Sequence, residues 1–399
     1  MSHTYTQLKF GDVVNATDYV ANGSFESLRL NVSTSTSPGH AVVVRLVDHN
    51  AKWTGPFSYV DKPSYDFLKK SRLIPGDVVV SNVGANAGTV FRVPDLGMPM
   101  TLGPNAIVCH PLNSDQIDRG YLYYYLSGPT GQALIAGIIS GSAQPKFNKT
   151  SFRQLPIALP NIREQQAIAE LLGALDDKIA ANTNLAALSE DLITAQYQRA
   201  INSEETVSQP LFSVIDFDFG EAFKGSEFSE SGVGRPLIRI RDLKTFTSQV
   251  WTTEKRLREI LVQPGDVVVG MDAEFRPTVW LGQPGLLNQR VCRARGKFAG
   301  PAFVREALKE PLGRIEGYKS ATTVIHLNKK DLEEAEILVP SFHSLALFES
   351  SVEALYSQRV SLAIENRTLT ATRDALLPQL MSGKLRIKVA EKVLEEAGV

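Results

Sequence analysis

Internal repetition is the feature of this sequence that most constrains its fold, because a duplicated chain builds two similar domains rather than one large core. Two strand-like runs that end in proline, at Pro160 and Pro340, each precede one long amphipathic segment. The two prolines lie 180 positions apart in a chain of 399 residues, so the repeat covers about half the chain. We therefore predict two homologous halves, each with a globular part followed by a long helix.

The match between the halves extends upstream of the helices. Four further segments match in the same order while their separation drifts, which places insertions in the loops between shared strands. The matched pairs are Asn148 with Asn328, Asn105 to Cys109 with Asn288 to Cys292, Pro75 to Val80 with Pro264 to Val269, and Val44 to Asp48 with Ile238 to Asp242. This alignment puts the only two cysteines at matched strand positions. We interpret them as reduced, buried thiols of a cytosolic protein.

Composition describes a soluble globular protein, with 43% hydrophobic and 21% charged residues. Its length exceeds what one hydrophobic core usually organises, which agrees with two domains. No run of 18 or more apolar residues is present, and the polar start from Met1 to Thr4 lacks the apolar core of a signal peptide. We therefore expect a cytoplasmic protein without a membrane association.

Each globular half is predicted to be mixed α/β with a curled β-sheet. Short β-branched runs bounded by Gly, Pro, Asn or Asp predict strands. In the first half these are Val42 to Leu46, Val78 to Val80, Thr89 to Val93, Ala106 to Cys109 and Leu155 to Leu159, with a helix from Tyr121 to Leu126. In the second half they are Leu237 to Ile240, Val267 to Val269, Thr278 to Leu281, Arg290 to Arg293 and Ala335 to Val339, with a helix from Ala302 to Lys309. The predicted domains are 1–160 and 206–340, the helical spacers 161–205 and 341–388, and the tail 389–399.

The long segments predict two helices that pair as an antiparallel coiled coil, since apolar residues recur at steps of three and four. The apolar stripe of the first is Ile168, Leu172, Leu175, Ile179, Leu185, Leu188 and Leu192, with Asn182 in the seam. That of the second is Phe348, Val352, Leu355, Leu362, Leu369 and Leu376, with Arg359, Asn366 and Arg373 between them. Asn161 with Glu164 predicts a capping box, and Ser382-Gly383 a helix end. Packing of each helix on its own domain is the alternative, but the matched flanks and polar seam residues favour pairing.

The search for catalytic motifs points to a binding protein. The sequence lacks Gly-x-Gly-x-x-Gly, Walker-type, His-Glu-x-x-His, Cys-x-x-Cys and amino-methyltransferase Asn/Asp-Pro-Pro-aromatic patterns, and its six histidines are scattered. A nuclease would require a cluster of acids, for which Asp266 or Asp272 with Glu274 and Arg276 is a candidate. The usual lysine after the glutamate is missing, and the first half has no matching acids. We therefore predict neither catalytic nor metal-binding residues.

Charge is distributed unevenly although the whole chain has a net charge of −1. Residues 1–160 carry 13 Lys and Arg against 10 Asp and Glu, whereas residues 161–205 carry 3 against 8. The acidic helix would repel phosphate and suits protein partners, for which we single out Asp176, Asp177 and Glu190. Basic loops in the globular halves suit DNA.

Candidate DNA contacts are cationic, amide, hydroxyl and aromatic side chains, because Arg, Asn and Gln make two-pronged contacts with base edges. In the first half they are Lys52, Trp53, Asn82, Asn86, Gln144, Lys146 and Lys149. In the second half they are Arg239, Arg241, Lys244, Trp251, Arg276, Lys319, Thr322, Thr323, His326 and Lys329. Each of these alone fits a solvated surface residue as well. Arg239 and Arg241 alternate with Ile238 and Ile240, which predicts that they share a strand face away from the core.

Several segments resemble the specificity subunits of type I restriction–modification systems. Leu155 to Ala169, continued by Leu175 to Ile179, is similar to the central region of that family, and Arg373 to Leu385 is similar to its C-terminal end. The Pro-Gly-Asp-Val-Val-Val turns and Leu287 to Cys292 resemble its target-recognition domains. The chain departs from the family at Ser341 to Leu345, where the family favours a Glu-Gln pair like Glu164-Gln165, so the second helix cap is weaker.

The resemblance implies two target-recognition domains at opposite ends of an antiparallel helical pair, each reading one half of a bipartite, asymmetric site in double-stranded DNA. A helix of about 33 residues spans about 50 Å, so the half-sites would lie about one to one and a half duplex turns apart. The family assembles with two methyltransferase subunits and with restriction/translocase subunits. S-adenosylmethionine, ATP and Mg²⁺ would bind those partners, and no cofactor would bind this chain. A stand-alone nuclease and a purely structural adaptor are the alternatives.

Overall fold

The computed structural model describes residues 5–202, 205–230, 232–319 and 325–397. The strands there are β1 (Thr6–Lys9), β2 (Val14–Asp18), β3 (Thr34–Ser35), β4 (Ala41–Val44), β5 (Ser58–Val60), β6 (Arg72–Leu73), β7 (Val78–Ser81), β8 (Val90–Arg92), β9 (Met100–Leu102), β10 (Ala106–Pro111), β11 (Pro156–Leu159), β12 (Val207–Pro210), β13 (Ile215–Phe219), β14 (Phe228–Ser229), β15 (Arg235–Ile238), β16 (Val250–Thr252), β17 (Leu261–Val262), β18 (Val267–Gly270), β19 (Pro277–Val279), β20 (Gly285–Leu287), β21 (Val291–Gly296) and β22 (Glu336–Val339). The helices there are α1 (Phe10–Val13), α2 (Phe25–Asn31), α3 (Leu46–Asn50), α4 (Lys62–Phe67), α5 (Arg119–Ser127), α6 (Pro129–Ile138), α7 (Lys149–Arg153), α8 (Ile162–Ile201), α9 (Leu211–Val214), α10 (Pro301–Lys319), α11 (Lys329–Glu333), α12 (Phe342–Met381) and α13 (Ile387–Ala397).

The chain forms two compact units, and both long helices contribute to each of them. Unit 1 comprises Met1–Asp177 and Leu369–Val399, and unit 2 comprises Lys178–Thr368. The predicted domain limits assign each spacer helix a segment of its own, whereas the units divide both helices between them. The predicted strands are present with ends shifted by up to two or three residues, and α10 continues through Pro311 to Lys319, beyond the predicted end at Lys309.

The two units contain the same three sheets. In unit 1 the strand orders are β2-β10-β7-β8, β3-β5-β4-β9-β6 and β1-β11, and in unit 2 they are β13-β21-β18-β19, β14-β16-β15-β20-β17 and β12-β22. In the five-stranded sheets β4 and β9 pair in parallel, as do β15 and β20. Strand-for-strand agreement confirms the duplication and the mixed α/β fold class predicted from the sequence.

The Pro-Gly-Asp segments build one turn in both units. Gly76 and Gly265 have φ angles of +85° and +96°, a left-handed conformation that glycine adopts without a steric cost. The Asp77 carboxylate accepts a hydrogen bond from the backbone N–H of Ile74 at 2.9 Å, and Asp266 accepts the matching bond from Gln263 at 2.8 Å. The turns direct β7 and β18 into the core, where every residue of both strands is buried.

The strand register corrects one predicted match. Cys109 of β10 pairs with Val78, whereas Val267, which corresponds to Val78, pairs with Ala294. The strand position that matches Cys109 is therefore Ala294, and Cys292 lies two residues earlier in the sheet. The predicted match rested on a shared Asn and Val-Cys pattern, which does not determine register. Register follows from the partner strands that cover each face.

Both cysteines are reduced and buried, as predicted. Burial raises the pKa of the Cys292 thiol to about 12 and that of Cys109 above its ordinary range. A thiol that stays protonated is a poor nucleophile, so these residues serve packing rather than chemistry.

Helix pairing in unit 1 involves residues 162–177 of α8 and 369–381 of α12. Asn161 caps α8, accepting a hydrogen bond from the N–H of Glu164 at 3.1 Å, which confirms the predicted cap. Arg373 Nη1 contacts Asp176 Oδ1 at 2.7 Å, and the Tyr124 hydroxyl donates to Asp176 Oδ2 at 2.5 Å. The second helix ends at Met381, and Gly383 follows with a φ of +69°.

Helix pairing in unit 2 is antiparallel and uses the polar seam residues. Asn182 Nδ2 donates to Asn366 Oδ1 at 3.0 Å, and Arg359 Nη2 contacts Glu190 Oε2 at 2.7 Å. The contacts therefore move backwards along α12 as they advance along α8, which confirms the predicted antiparallel pairing. Polar pairs at single seam positions specify register at a cost in stability.

The buried face of α8 beyond Asn182 differs from the predicted stripe. Ser189, Ile193 and Tyr197 are 3%, 2% and 6% exposed, whereas the predicted seam residues Leu185, Leu188 and Leu192 are 41%, 66% and 45% exposed. The step of six residues from Ile179 to Leu185 breaks the three-and-four spacing, and the buried seam continues from Asn182 through Ser189, Ile193 and Tyr197. Leu188 and Leu192 thus do not pair the helices, and their role in partner docking stays a prediction. The remaining apolar pairing residues Ile168, Leu172, Leu175, Val352, Leu362, Leu369 and Leu376 are buried, and Ile179 and Leu355 are partly buried.

Two of the three acids assigned to partner docking are engaged within the fold. Asp176 is held by Arg373 and Tyr124, and Glu190 contacts both Arg305 and Arg359. Both carboxylates therefore stabilise the helix pair. Asp177 is exposed and retains the predicted docking role as a hypothesis.

Candidate nucleic-acid interface

A pair of loops lies at the same position in each unit. In unit 1, residues 81–89 connect β7 to β8 and lie beside residues 140–148, and we call these segments the unit 1 loop pair. Gly84 N–H donates to the Pro145 carbonyl at 2.9 Å, and Phe147 N–H donates to the Asn82 carbonyl at 3.1 Å. A bridge between Val83 and Lys146 completes the contact. These bonds bring candidate residues from two distant parts of the sequence together.

The unit 2 loop pair, residues 270–276 with 325–328, repeats the same bonds. Ala273 N–H donates to the Ile325 carbonyl at 3.2 Å, and Leu327 N–H donates to the Met271 carbonyl at 2.8 Å. Asp272 and His326 form the equivalent bridge. The hydrogen bonds follow the same pattern in both units, so the backbone scaffold is shared.

The scaffold also shares its strained positions. Asn105 and Arg290, which precede β10 and β21, have φ angles of +68° and +92°. Their carbonyls accept from the N–H groups of Asn82 and Met271 at 3.1 and 2.8 Å. Arg290, and not Asn288, is therefore the structural counterpart of Asn105. Non-glycine residues at positive φ concentrate in turns and functional segments, which is the signal that points to Arg290.

The side chains on the two loop pairs differ in chemistry. The unit 1 pair presents the exposed residues Asn86, Gln144 and Lys146. The unit 2 pair presents charges that contact one another. Lys244 Nζ lies 3.0 Å from Glu274 Oε1, and Arg276 Nε lies 3.7 Å from Glu274 Oε2.

Asp272 of the unit 2 pair is bound on both sides. Its Oδ1 contacts His326 Nδ1, and its Oδ2 lies 3.9 Å from Arg290 Nε. The neighbouring cations hold the pKa of Glu274 below its ordinary value, through the Lys244 hydrogen bond first. The carboxylates considered for a nuclease are thus each paired with cations. No group of three or more His, Cys, Asp or Glu side chains arranged to hold a metal occurs in the part of the chain that the structure describes.

Several predicted DNA contacts are occupied by partners inside the protein. Lys149 Nζ contacts Asp18 Oδ1 at 2.7 Å, and Lys319 Nζ contacts Asp331 Oδ2 at 2.9 Å. Both side chains are at least three-quarters buried. Asn82 is also held within the scaffold, since its Nδ2 donates to the Phe147 carbonyl at 3.2 Å. The DNA contacts of these three residues stay predictions, and the two lysines carry less uncompensated charge than the sequence suggests.

Arg239 and Arg241 do not share a strand face as predicted. Strand β15 ends at Ile238, and a 3₁₀ turn follows at Ile240–Leu243. The buried Asp242 caps this turn by accepting from Arg239 N–H at 3.0 Å, and the Arg239 side chain is only 18% exposed. The same arrangement joins Arg45 to Asp48 in unit 1. A buried capping carboxylate therefore ends the strand early, leaving Arg241 exposed and Arg239 held.

The remaining candidates lie on other elements or outside the described residues. Trp53 packs on the core with its ring centroid 5.8 Å from that of Phe91, and the neighbouring Lys52 is exposed at a φ of +52°. Trp251 lies in β16, opposite Pro236. Lys329 is exposed at the start of α11, 3.4 Å from Glu333. Thr322 and Thr323 lie outside the described residues.

The fold defines a class of protein with two homologous α/β units and paired helices shared between them. The family model of the type I restriction modification DNA specificity domain matches residues 49–188. The EcoBI specificity subunit from Escherichia coli is 32% identical over 43% of this chain and 38% of its own length. The putative MjaX specificity subunit from Methanocaldococcus jannaschii is 21% identical over 83% of both chains.

A solved structure shares the fold along the chain. The type I restriction–modification S subunit from M. genitalium superposes with a TM-score of 0.64 and 15% identity, covering 95% of this chain and 96% of that one. The chain is therefore similar to type I restriction–modification specificity subunits, in sequence over part of its length and in fold along nearly all of it. The helices of the described residues include none long and apolar enough to cross a membrane.

Proposed function

We propose that this chain is the DNA-recognition subunit of a type I restriction–modification complex, in which each unit reads one half of a bipartite, asymmetric target. The observation that carries the proposal is the loop pair, which has one backbone scaffold in both units but different exposed side chains. Base identity is read by side chains at base edges. A duplicated scaffold with divergent side chains therefore suits two different half-sites.

The same proposal assigns the chemistry to partners. Two methyltransferase subunits that hold S-adenosylmethionine, and restriction/translocase subunits that use ATP and Mg²⁺, would assemble on this chain, which itself binds no cofactor and catalyses nothing. The exposed Leu188, Leu192 and Asp177 on α8 are available to such partners.

The experiment is methylation mapping in cells. The chain is co-expressed with its methyltransferase partner, and modified bases are located by single-molecule sequencing. We expect one bipartite, asymmetric motif that disappears when this chain is omitted. Methylation that is independent of the chain contradicts the proposal. Incubation of the purified chain with plasmid and Mg²⁺ tests the alternative that the chain is a stand-alone nuclease. Cleavage without partners would support that alternative.

A further inference from the structure

The unit 2 loop pair holds one arginine on a rigid base. Phe275 is 1% exposed, and its N–H donates to Glu316 Oε2 at 2.9 Å. Pro277, on the other side, is buried at the start of β19. Arg276 stands between these two buried residues, yet 76% of its side chain is exposed. Its backbone is therefore fixed while its guanidinium projects outward, which lowers the entropic cost of making a specific contact.

The charges around Arg276 balance one another. A cleft of about 470 Å³ is lined by the cations Lys244 and Arg276 and the carboxylates Asp272 and Glu274. Glu274 lies between the two cations, 3.0 Å from Lys244 Nζ and 3.7 Å from Arg276 Nε. Phosphate contacts depend on uncompensated positive charge. A cluster without net positive charge is attracted only weakly to DNA phosphates. Its binding affinity therefore depends more on hydrogen bonds to a matching base edge.

We propose that Arg276 reads a guanine in the half-site of unit 2 and that Glu274 positions it. The guanidinium donates two parallel hydrogen bonds to guanine O6 and N7, the commonest specific contact in the major groove. A carboxylate beside Nε restrains the fork and leaves its outer N–H groups free for the base. This inference rests on the proposed function and adds the base class and the residue that reads it.

The unit 1 loop pair supplies an internal contrast. Residues 81–89 and 140–148 contain no arginine, and their exposed side chains include Asn86 and Gln144. Amide side chains make their two-pronged contacts with adenine. The arginine contact therefore belongs to one half of the target only, and changing it leaves the other half unaltered.

The test is selection of bound duplexes from a random DNA pool by the full-length purified chain. Four proteins are compared: the wild type, Arg276→Lys, Glu274→Gln and the control Arg314→Lys. Arg314 is 62% exposed on α10 beside Glu310, so it matches the charge and exposure of Arg276 outside the loop pair. Lysine keeps the charge of Arg276 but loses the fork.

We expect the wild type and Arg314→Lys to select one bipartite motif. With Arg276→Lys, the preference for guanine at one position of one half falls by roughly ten- to one-hundred-fold, and the other half is retained. Glu274→Gln lowers the same guanine preference by a smaller factor and leaves the base preference at every other position unchanged. A purely structural role of Glu274 would not change one position alone.

The outcomes separate the two proposals. A wild-type chain that selects no motif contradicts both. A wild-type motif that Arg276→Lys leaves unchanged overturns the guanine contact alone. If Arg276→Lys weakens binding to all DNA sequences equally, with the motif intact and the melting temperature unchanged, Arg276 contacts the DNA phosphates. That result also overturns the inference.

Discussion

The first turns of α8 and α12 occupy equivalent places in the two units. A polar side chain holds the first in place, and an apolar side chain holds the second. In unit 1 the fully buried Gln165 accepts from Asp118 N–H at 3.0 Å and donates to the carbonyls of Gln116 and Pro160 at 3.0 and 2.9 Å. In unit 2 the equivalent residue is Leu345, which is 5% exposed and packs in the apolar core. A buried position thus accepts either an amide with every bond satisfied or an apolar side chain with none required.

The helix seams differ in the same way. In unit 1 one ion pair, Arg373 with Asp176, closes the seam together with the Tyr124 hydroxyl. In unit 2, Glu190 lies between Arg305 and Arg359, whose side chains are only 12% and 11% exposed. Burial lowers the pKa of Arg359, and Glu190 opposes that shift. Removing a charge from this buried network should therefore lower the free energy of unfolding more than removing an exposed surface charge.

The largest effect is expected for reversal of Glu190. Glu190→Lys removes the carboxylate that contacts the buried Arg359, leaves Arg305 with Glu306 alone and adds a further cation, so unit 2 should lose about 3–5 kcal/mol of stability. Thermal and urea denaturation with hydrogen exchange measure the loss. Asp177→Lys is the matched control, because Asp177 is exposed on the same helix. Equal stability of the two variants would show that the buried network contributes nothing.

Exchange of the helix anchors tests whether the two units are interchangeable. Gln165→Leu copies unit 2 into unit 1 but leaves the backbone groups of Asp118, Gln116 and Pro160 without partners. We expect a loss of about 2–3 kcal/mol and faster exchange of the Asp118 N–H. Leu345→Met, a volume-matched change in unit 2, should cost less than about 1.5 kcal/mol. A tolerated Gln165→Leu would mean that solvent replaces the lost bonds.

The salt dependence of DNA binding sharpens the contrast between free and paired lysines. Lys146→Ala should lower the slope of log affinity against log salt by about 0.9, the value for one phosphate contact. Lys149→Ala should lower it less, because Asp18 already neutralises Lys149. Filter binding at several salt concentrations gives both slopes. A larger change in slope for Lys149→Ala than for Lys146→Ala would contradict the expectation that the ion pair with Asp18 reduces phosphate contact.

The smallest effect concerns an ion pair of unit 2. The two oxygens of Glu259 lie 2.5 and 2.8 Å from the guanidinium of Arg235, which lowers the pKa of Glu259 from 4.5 to about 2. Because the folded pKa is depressed, the stabilisation is complete above pH 4.5 and is lost as the pH falls towards 2.

For a partly exposed pair the contribution is under about 1 kcal/mol. The unfolding free energies of the wild type and Glu259→Gln should differ most near neutral pH and converge as the pH is lowered. Urea titrations at neutral pH and in the acid range measure this difference. A constant difference across that range would contradict the depressed pKa.

Local signals explain most of what could be predicted. The Pro-Gly-Asp turns, the cap at Asn161 and the end of α12 at Gly383 involve residues a few positions apart, so short sequence patterns specify them. The duplication followed from the order of such patterns. The polar seam residues of α12 also indicated helix pairing, because single polar positions in an apolar seam need a partner of matching register.

Long-range placement explains what could not be predicted. The register of Cys292 depends on strands β13 and β18, and the buried face of α8 beyond Asn182 depends on Phe303 and Phe348, against which Tyr197 packs. Likewise the pairing of Lys149 with Asp18 joins residues 131 positions apart.

The sequence by itself determined the two-fold repeat, the α/β class, the turns and the paired helices, because these rest on local conformation and periodicity. Only the tertiary structure decided which cations are exposed without a carboxylate beside them and which are held by carboxylates. The physical reason is that a charge interacts over a few ångströms in space, and the partners it meets there come from distant parts of the chain.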